Sequence, residues 1–507
     1  MIRTEQYPAL IFWVALCLGA AFSFAGHLND ATPDVSWLID MCIRMLNGER
    51  AYVDIFETTP PIPVLIYMPG VFFARLLGIS PEAGVYFSAI ASVIGALALS
   101  AKTLPRSIDG LGRSLSVVIL PAAIFLLGLA NDAFAQREFF AAVFTLPMVC
   151  VFIRHHQGQW PSLWLRASAA LLAGLAIAIK PPLFVLPGIF VAAFYIFQTR
   201  RLRPIYSGGL LGAGVLGGLI TAISLMAYPE YFNDVVPLMR DVYVPIKSSP
   251  GAIPHDALIA ALLCLGCVLI LRLKNSVNVP LILLAVSAIG YVGVFILQGK
   301  YFGYHATPAA LFGFIAVWAV LFERIQSSRS DAGGQLISTV PYAALGIFLA
   351  IKIFLAFEDH HPKMENMAWA DPFNGVTATA ISPDISIGFP LARRFHAEWV
   401  DRIHAQWVSH YAKLGLEDES LSPETRKILK EYLRRDLERT GRLIATKQPK
   451  IIIQCIDESA LWLTDALLET DPTLLDNYQV IAEEGVFKIW QRKDPASDTA
   501  IAHNLLD

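Results

Sequence analysis

Apolar residues along this chain gather into long runs broken by short charged stretches, and the run lengths set the first expectation. A helix needs about 20 consecutive apolar residues to cross a bilayer. Runs of that order occur near 9–26, 83–101, 114–131, 138–153, 206–227, 257–271, 279–297, 307–322 and 337–356. Two shorter runs, 167–179 and 183–197, flank Lys180-Pro181-Pro182 and predict a hairpin of short helices. The pattern predicts a polytopic α-helical membrane protein with about eleven transmembrane helices.

Beyond Phe357 the pattern changes to short Ile- and Val-rich runs bounded by turn residues. Val376–Ser382, Lys450–Ile456, Tyr478–Ala482 and Val486–Trp490 read as strands. Ser422–Thr446 reads as a helix, with Ser422 as N-cap, Pro423 and Glu424 in the first turn, and Gly441 as a point where it could end early. The expected organisation is a transmembrane domain over 1–356 and a C-terminal extracytoplasmic α/β domain over 357–507. No internal repeat of fixed period is visible.

Composition agrees with a membrane protein: 55% of the 507 residues are hydrophobic and only 16% are charged, and the mean hydropathy is +0.54. More than half of the 42 acidic residues follow Phe357, which is where a water-exposed surface is needed. The net charge of −3 gives no basic field for nucleic acid. The run after Arg3 imitates a signal peptide, but no small-residue cleavage site precedes the acidic segment, so a retained anchor is expected.

Positive residues in short loops mark the cytoplasmic side. Alternate loops hold Lys102/Arg106/Arg113, Arg154/Arg166, Arg200/Arg201/Arg203, Arg272/Lys274 and Arg324/Arg329. An eleven-span topology with the N-terminus inside places all of them on one side and the C-terminal domain outside, in the plasma (inner) membrane. Counting Pro60–Ile79 as a span would break this parity. Its Pro-rich opening, Pro69-Gly70 and Arg75 suit a helix lying in the outer interface, within an outer loop over 27–82.

Cys17, Cys150, Cys264 and Cys267 sit in apolar runs and read as packing residues, while Cys42 and Cys455, placed on one side, leave a disulfide open. His155-His156 has no third ligand nearby and reads as a loop feature. In the first outer loop, Asp30, Asp40 and Glu49 read as solvated acids. Asp34 and the Tyr52-Val53-Asp54 group stand out through the order of residues they complete, and Asp54 and Glu57 are open to acceptor, metal or water.

That order is Asp34, then Arg44-Met45-Leu46-Asn47-Gly48, Tyr52-Val53-Asp54 and Pro60-Pro61. It resembles the first outer loop of the GT-C glycosyltransferases, the superfamily of protein O-mannosyltransferases and lipid A aminoarabinose transferases. The resemblance continues in Gln136-Arg137-Glu138 at the start of a span and in the Gly/Ala-rich run Gly174 to Lys180-Pro181. It extends to Gln298-Gly299-Lys300-Tyr301-Phe302-Gly303-Tyr304-His305 in a late outer loop. It covers most of residues 1–320. Many relatives pair Asp with Glu in the first loop, whereas Val35 follows Asp34 here, which leaves the metal requirement open.

The resemblance implies an inverting transferase that takes a sugar from a polyprenyl-phosphate donor. The acceptor would be a cell-envelope or exopolysaccharide glycan, a lipid or a protein at the outer face. Such chemistry needs a base for the acceptor hydroxyl, and Asp34 is the candidate, with Glu138 as a second catalytic acid. The departing phosphate needs fixed cations or a divalent metal ion, the one cofactor the resemblance allows. Arg137, Lys180, Lys300 and His305 are the cations available, with Tyr304 beside them, and Asp54 and Glu57 are candidates for substrate contact. Bland readings stay open: Lys180 reaching to lipid headgroups, His305 as a packing residue, Arg137-Glu138 as a local ion pair. A transporter or flippase of lipid-linked sugars would place charges at mid-span and show repeated halves. A polymerase or ligase of lipid-linked oligosaccharides would fit an acidic first loop less well.

Overall fold

The computed structural model describes residues 31–108, 111–200, 202, 205, 209–246, 278–327 and 375–493. The runs expected near 9–26, 257–271 and 337–356 lie outside these residues, as do Asp30, Cys17, Cys264, Cys267 and part of the basic loops. The first helices in chain order are α1 (Pro33–Leu46), α2 (Pro61–Leu77), α3 (Pro81–Thr103) and α4 (Leu115–Leu129), followed by α5 (Arg137–His156) and α6 (Leu163–Ile179). Then come α7 (Leu186–Thr199), α8 (Leu210–Ala227), α9 (Val279–Gln298) and α10 (Thr307–Ser327).

Among the described residues, 6 helices are long and apolar enough to cross a membrane: Pro81–Thr103, Arg137–His156, Pro181–Gln198, Leu210–Ala227, Val279–Gln298 and Gly303–Val320. Pro61–Leu77, Leu115–Leu129 and Leu163–Ile179 are shorter apolar helices. The chain forms two compact units. The first gathers the described parts of Pro60–Ala227 and Ser248–His361, and the second those of Asn29–Thr59, Tyr228–Lys247 and Pro362–Asp507.

In the first unit, antiparallel helices bury faces of small and aromatic residues. α2 and α3 cross at Gly84 and Gly70, where a Cβ added to Gly84 would stand 2.2 Å from the Gly70 carbonyl oxygen. Only glycine permits that approach of two backbones. The break between α6 and α7 follows from Lys180-Pro181-Pro182: the residue before a proline is disfavoured in helical geometry, and Lys180 adopts φ −140, ψ 77. Proline then opens the next short turn, Pro181–Phe184. α9 stops at Gly299, whose φ of +64 is a left-handed cap open to glycine.

Helix α5 carries Arg137 and Glu138 in its first turn and Arg154, His155 and His156 in its last. At 1.5 Å per residue its two charged ends stand about 25 Å apart, near the thickness of a hydrocarbon layer. His155 and His156, expected in a loop, close this helix, and the His155 ring hydrogen-bonds the Tyr195 hydroxyl. Arg154 Nη1 donates to the Thr103 carbonyl at 3.1 Å, tying the last turn of α5 to the last turn of α3.

The second unit holds a five-stranded sheet. Its elements are β1 (Thr377–Ile381), β2 (Glu398–Trp399), α11 (Trp407–Leu416), α12 (Pro423–Lys447), β3 (Ile451–Cys455), α13 (Glu458–Thr470), β4 (Tyr478–Glu484) and β5 (Phe487–Arg492). The strand order is β2-β1-β3-β5-β4. β1 runs parallel to β2 and β3, and β5 runs antiparallel to β3 and β4. The unbroken apolar run Ile451-Ile452-Ile453 suits a central strand buried on both faces. Ile452 joins Ile381, Ile444, Leu463 and Leu467 in a core under α12 and α13, while Ile451 and Ile453 line a small apolar cavity with Ala392 and Phe395.

Ser422 caps α12 by accepting from the Thr425 amide. The early end expected at Gly441 does not occur: the helix runs on to Lys447, because Ile444 in its last turns is buried in the core. Cys42 and Cys455 do not pair; both are buried free thiols. Burial, with the Asp40 charge adding to it, pushes the Cys42 thiol up to about 12, so it stays protonated at neutral pH.

Candidate functional site

Four helix ends of the first unit converge: the starts of α5 and α10 and the ends of α6 and α9. Each delivers a polar residue that its own chain position dictates. Glu138 sits in the first turn of α5, and its side chain is wholly buried. Lys180 closes α6, and its ammonium forms an ion pair with Glu138 Oε1. The same ammonium donates to Gln298 Oε1 at 2.6 Å, from the last residue of α9. His305, in the turn Gly303–Ala306 before α10, places Nε2 3.5 Å from Glu138 Oε1 and is 5% exposed.

Arg137, beside Glu138, reaches Tyr304. Its Nη2 donates to the Tyr304 hydroxyl at 3.2 Å, and its guanidinium lies 5.9 Å from the Tyr304 ring centre. Tyr304 in turn meets the His305 ring edge-on at 4.6 Å and stacks on Phe302 at 5.8 Å. Lys300, in the turn between Gly299 and this aromatic group, is buried. The structure thus brings Arg137, Glu138, Lys180, Tyr304 and His305 into one cluster with Lys300 in its connecting turn. Lys180 forms a buried charge pair with Glu138 between two helices.

A buried carboxylate costs several kcal/mol unless it is paired and hydrogen-bonded. Lys180 supplies the pairing, yet Glu138 Oε2 and His305 Nδ1 are buried without a hydrogen-bond partner among the described residues. Two polar atoms left open beside a paired ammonium suit a site that receives a polar ligand. The ammonium of Lys180 occupies Glu138 Oε1 and leaves Oε2 open. No group of three or more His, Cys, Asp or Glu placed to hold a metal occurs among the described residues.

The acids of residues 31–59 belong to the second unit. Asp34 lies half-buried in the first turn of α1, behind Thr32 and Pro33. Asp54 is exposed and closes a turn by accepting the Arg50 amide at 2.8 Å. Glu57 is 4% exposed and accepts the Trp37 indole N–H at 2.5 Å and the Thr59 amide at 2.6 Å. Its carboxylate organises the loop by accepting both buried donors. Replacing Glu57 with Ala is expected to destabilise the protein by about 1–3 kcal/mol for each stranded donor. Thermal unfolding followed by tryptophan fluorescence checks this, and an unchanged midpoint would remove the structural assignment.

Asp40 is not the solvated residue expected. It is 8% exposed on the buried face of α1, with Arg393 Nη1 3.8 Å from its carboxylate. Glu49 pairs with Arg44 at 2.6 Å, and Arg44 also donates to the Asp401 carbonyl at 2.9 Å. Tyr52, at φ +67, donates to the Thr59 carbonyl and packs edge-on against Tyr228 and Tyr231. Burial, then the nearby Glu57 charge, raises the Tyr52 phenol well above its usual value, so it remains a donor.

No family model matches the chain, and no curated protein matches it in sequence. Solved structures do match. ArnT from Cupriavidus metallidurans in the apo state aligns over 95% of this chain and 98% of its own, with a TM-score of 0.55 and 14% identity. At this identity the likeness is one of fold. The Archaeoglobus fulgidus oligosaccharyltransferase, in complex with Zn and sulfate, aligns over 92% of this chain and 71% of its own at a TM-score of 0.44 and 13% identity. The cluster around Glu138 stands at the ends of α5, α6 and α9.

Gln298 is the cluster member that sequence reasoning quoted in a motif without giving it a role. Its signal was a polar amide closing an otherwise apolar helix one residue before Gly299. Arg393 and Trp37, which fasten Asp40 and Glu57, carried no such signal, because their partners are distant in sequence.

Proposed function

We propose that this chain is an inverting membrane glycosyltransferase that moves one sugar from a polyprenyl-phosphate donor to a glycan, lipid or protein acceptor at the outer face of the plasma membrane. The observation that supports it most is the buried cluster of Arg137, Glu138, Lys180 and His305 at one end of a helix bundle with the GT-C fold. Charges gathered at a span end meet a headgroup phosphate, whereas a transporter needs them at mid-depth. Basic residues Lys102, Arg154 and Arg166 at the opposite helix ends favour that opposite side as cytoplasmic. The full count of about eleven crossings and the outer location of residues 375–493 belong to the same proposal.

In this reading Lys180, Arg137, Lys300 and His305 hold the donor phosphate and stabilise the charge it gains as the glycosidic bond breaks. Asp34 takes the acceptor proton as the acceptor oxygen bonds the anomeric carbon from the opposite face, which inverts its configuration. Glu138 sets the charge of the cation cluster and lies near enough to His305 to orient its ring. Tyr304 is assigned to substrate at the cluster, and Asp54 to substrate contact in the outer loop. No step is routed through a metal.

The test is the lipid-linked sugar that builds up when the protein is removed from its host cell. A polyprenyl-phosphate monosaccharide is expected to accumulate in the outer leaflet, and the purified chain in lipid is expected to consume it. Accumulation in the cytoplasmic leaflet alone would point to a flippase instead.

A further inference from the structure

Lys180 has a second partner that the roles above do not use. Its ammonium lies between Glu138 Oε1 and Gln298 Oε1, so a charged and a neutral acceptor hold it from two different helices. Only the amide oxygen of Gln298 can face an ammonium, because the amide nitrogen is itself a donor. The geometry points to Gln298 as a positioning residue that fixes where Lys180 presents its charge to the donor phosphate. This rests on the proposed phosphate-holding role of Lys180.

The physical need comes from the lysine stem. Four flexible carbons carry a point charge with no preferred direction, and next to a single buried carboxylate the ammonium would settle wholly onto it. A second acceptor draws the ammonium off that line. Gln298 can do so because α9 is rigidly placed: Tyr291 hydrogen-bonds Thr145 at 2.6 Å and stacks on Phe312 at 6.0 Å. A Cβ added to Gly290 would stand 2.6 Å from Pro187 Cα, which shows how closely α9 packs there. The left-handed cap at Gly299 then ends the helix with the Gln298 side chain at the cluster.

Glutamine also suits the charge balance. A glutamate here would set two carboxylates against one ammonium and oppose an anionic ligand, while an apolar residue would remove this acceptor from the ammonium. Both substitutions keep the length of the side chain, so each changes the acceptor without removing bulk.

The test measures binding of undecaprenyl phosphate, used as the probe, to the full chain in phosphatidylcholine nanodiscs. Gln298→Met is expected to raise the Kd about tenfold, the cost of one hydrogen bond to a charged group, with little change in the unfolding midpoint. Gln298→Glu should weaken binding at least as much although it keeps an acceptor. In a Glu138→Gln/Lys180→Met background, which removes both charges together, Gln298→Met should add nothing. Wild-type affinity in Gln298→Met, or the same loss persisting without Lys180, would overturn the positioning role and leave the Lys180 reading intact. Wild-type affinity in the Glu138→Gln/Lys180→Met background would overturn both.

Discussion

Asp34→Asn is expected to lower sugar transfer by at least about a hundredfold, the loss typical of removing a general base. The substitution keeps size and hydrogen-bonding shape while removing the proton acceptor. The motivation is the position of Asp34 in the first turn of α1, at the head of the residue order that resembles the GT-C outer loop. Binding of the lipid donor and membrane insertion should be retained. The comparison must be chosen with the structure in view: Asp40 is buried beside Arg393, so Asp40→Asn perturbs the fold and is a poor control. Glu49 is the better one, because its carboxylate is 39% exposed and Glu49→Gln keeps an acceptor for Arg44. Turnover of purified variants in lipid, measured beside donor binding, decides the matter. Full activity in Asp34→Asn removes the base assignment, and equal losses in Asp34→Asn and Glu49→Gln would indicate a disturbed loop.

The second large effect is on stability. Lys180→Met should destabilise the protein by about 3–5 kcal/mol, because it strands the carboxylate of Glu138 in a buried site without its counter-charge. The double substitution Glu138→Gln/Lys180→Met should recover most of that loss, since a neutral amide needs no ammonium. Chemical unfolding of the three proteins in detergent reads this directly. A lysine that only reached toward headgroups would be replaced by methionine at almost no cost. Equal stability of the single and double variants would therefore show that Glu138 carries no charge that Lys180 balances.

What was legible in the sequence follows local rules. Hydrophobic run length located helices long and apolar enough to cross a membrane at 83–101, 138–153, 206–227, 279–297 and 307–322, because a helix satisfies its backbone internally and needs only apolar length. Lys180-Pro181-Pro182 marked the break between α6 and α7, because proline acts on its immediate neighbour. The Ile-rich run at 451–453 marked a strand, and Ser422-Pro423-Glu424 marked a helix start, for equally local reasons. The order of motifs nominated Glu138, Lys180 and His305 separately.

Only the tertiary structure decided how those residues combine. Glu138 and Lys180 are 42 positions apart, Lys180 and Gln298 are 118 apart, and no local pattern records either pairing. The same holds for the residues that the sequence reading misplaced. Asp40 was expected in water because it lies in an acidic loop, but the apolar face of α1 turns inward and carries Asp40 with it to Arg393. Glu57 was open between acceptor, metal and water, and only the fold brings the Trp37 indole and the Thr59 amide to its two oxygens. Gly441 looked like a helix end, yet burial of Ile444 three residues later carried the helix through it. Local sequence sets which backbone shapes are cheap. Whether a polar group meets water, a partner or a ligand depends on which distant segment folds against it, and that is a property of the packed chain.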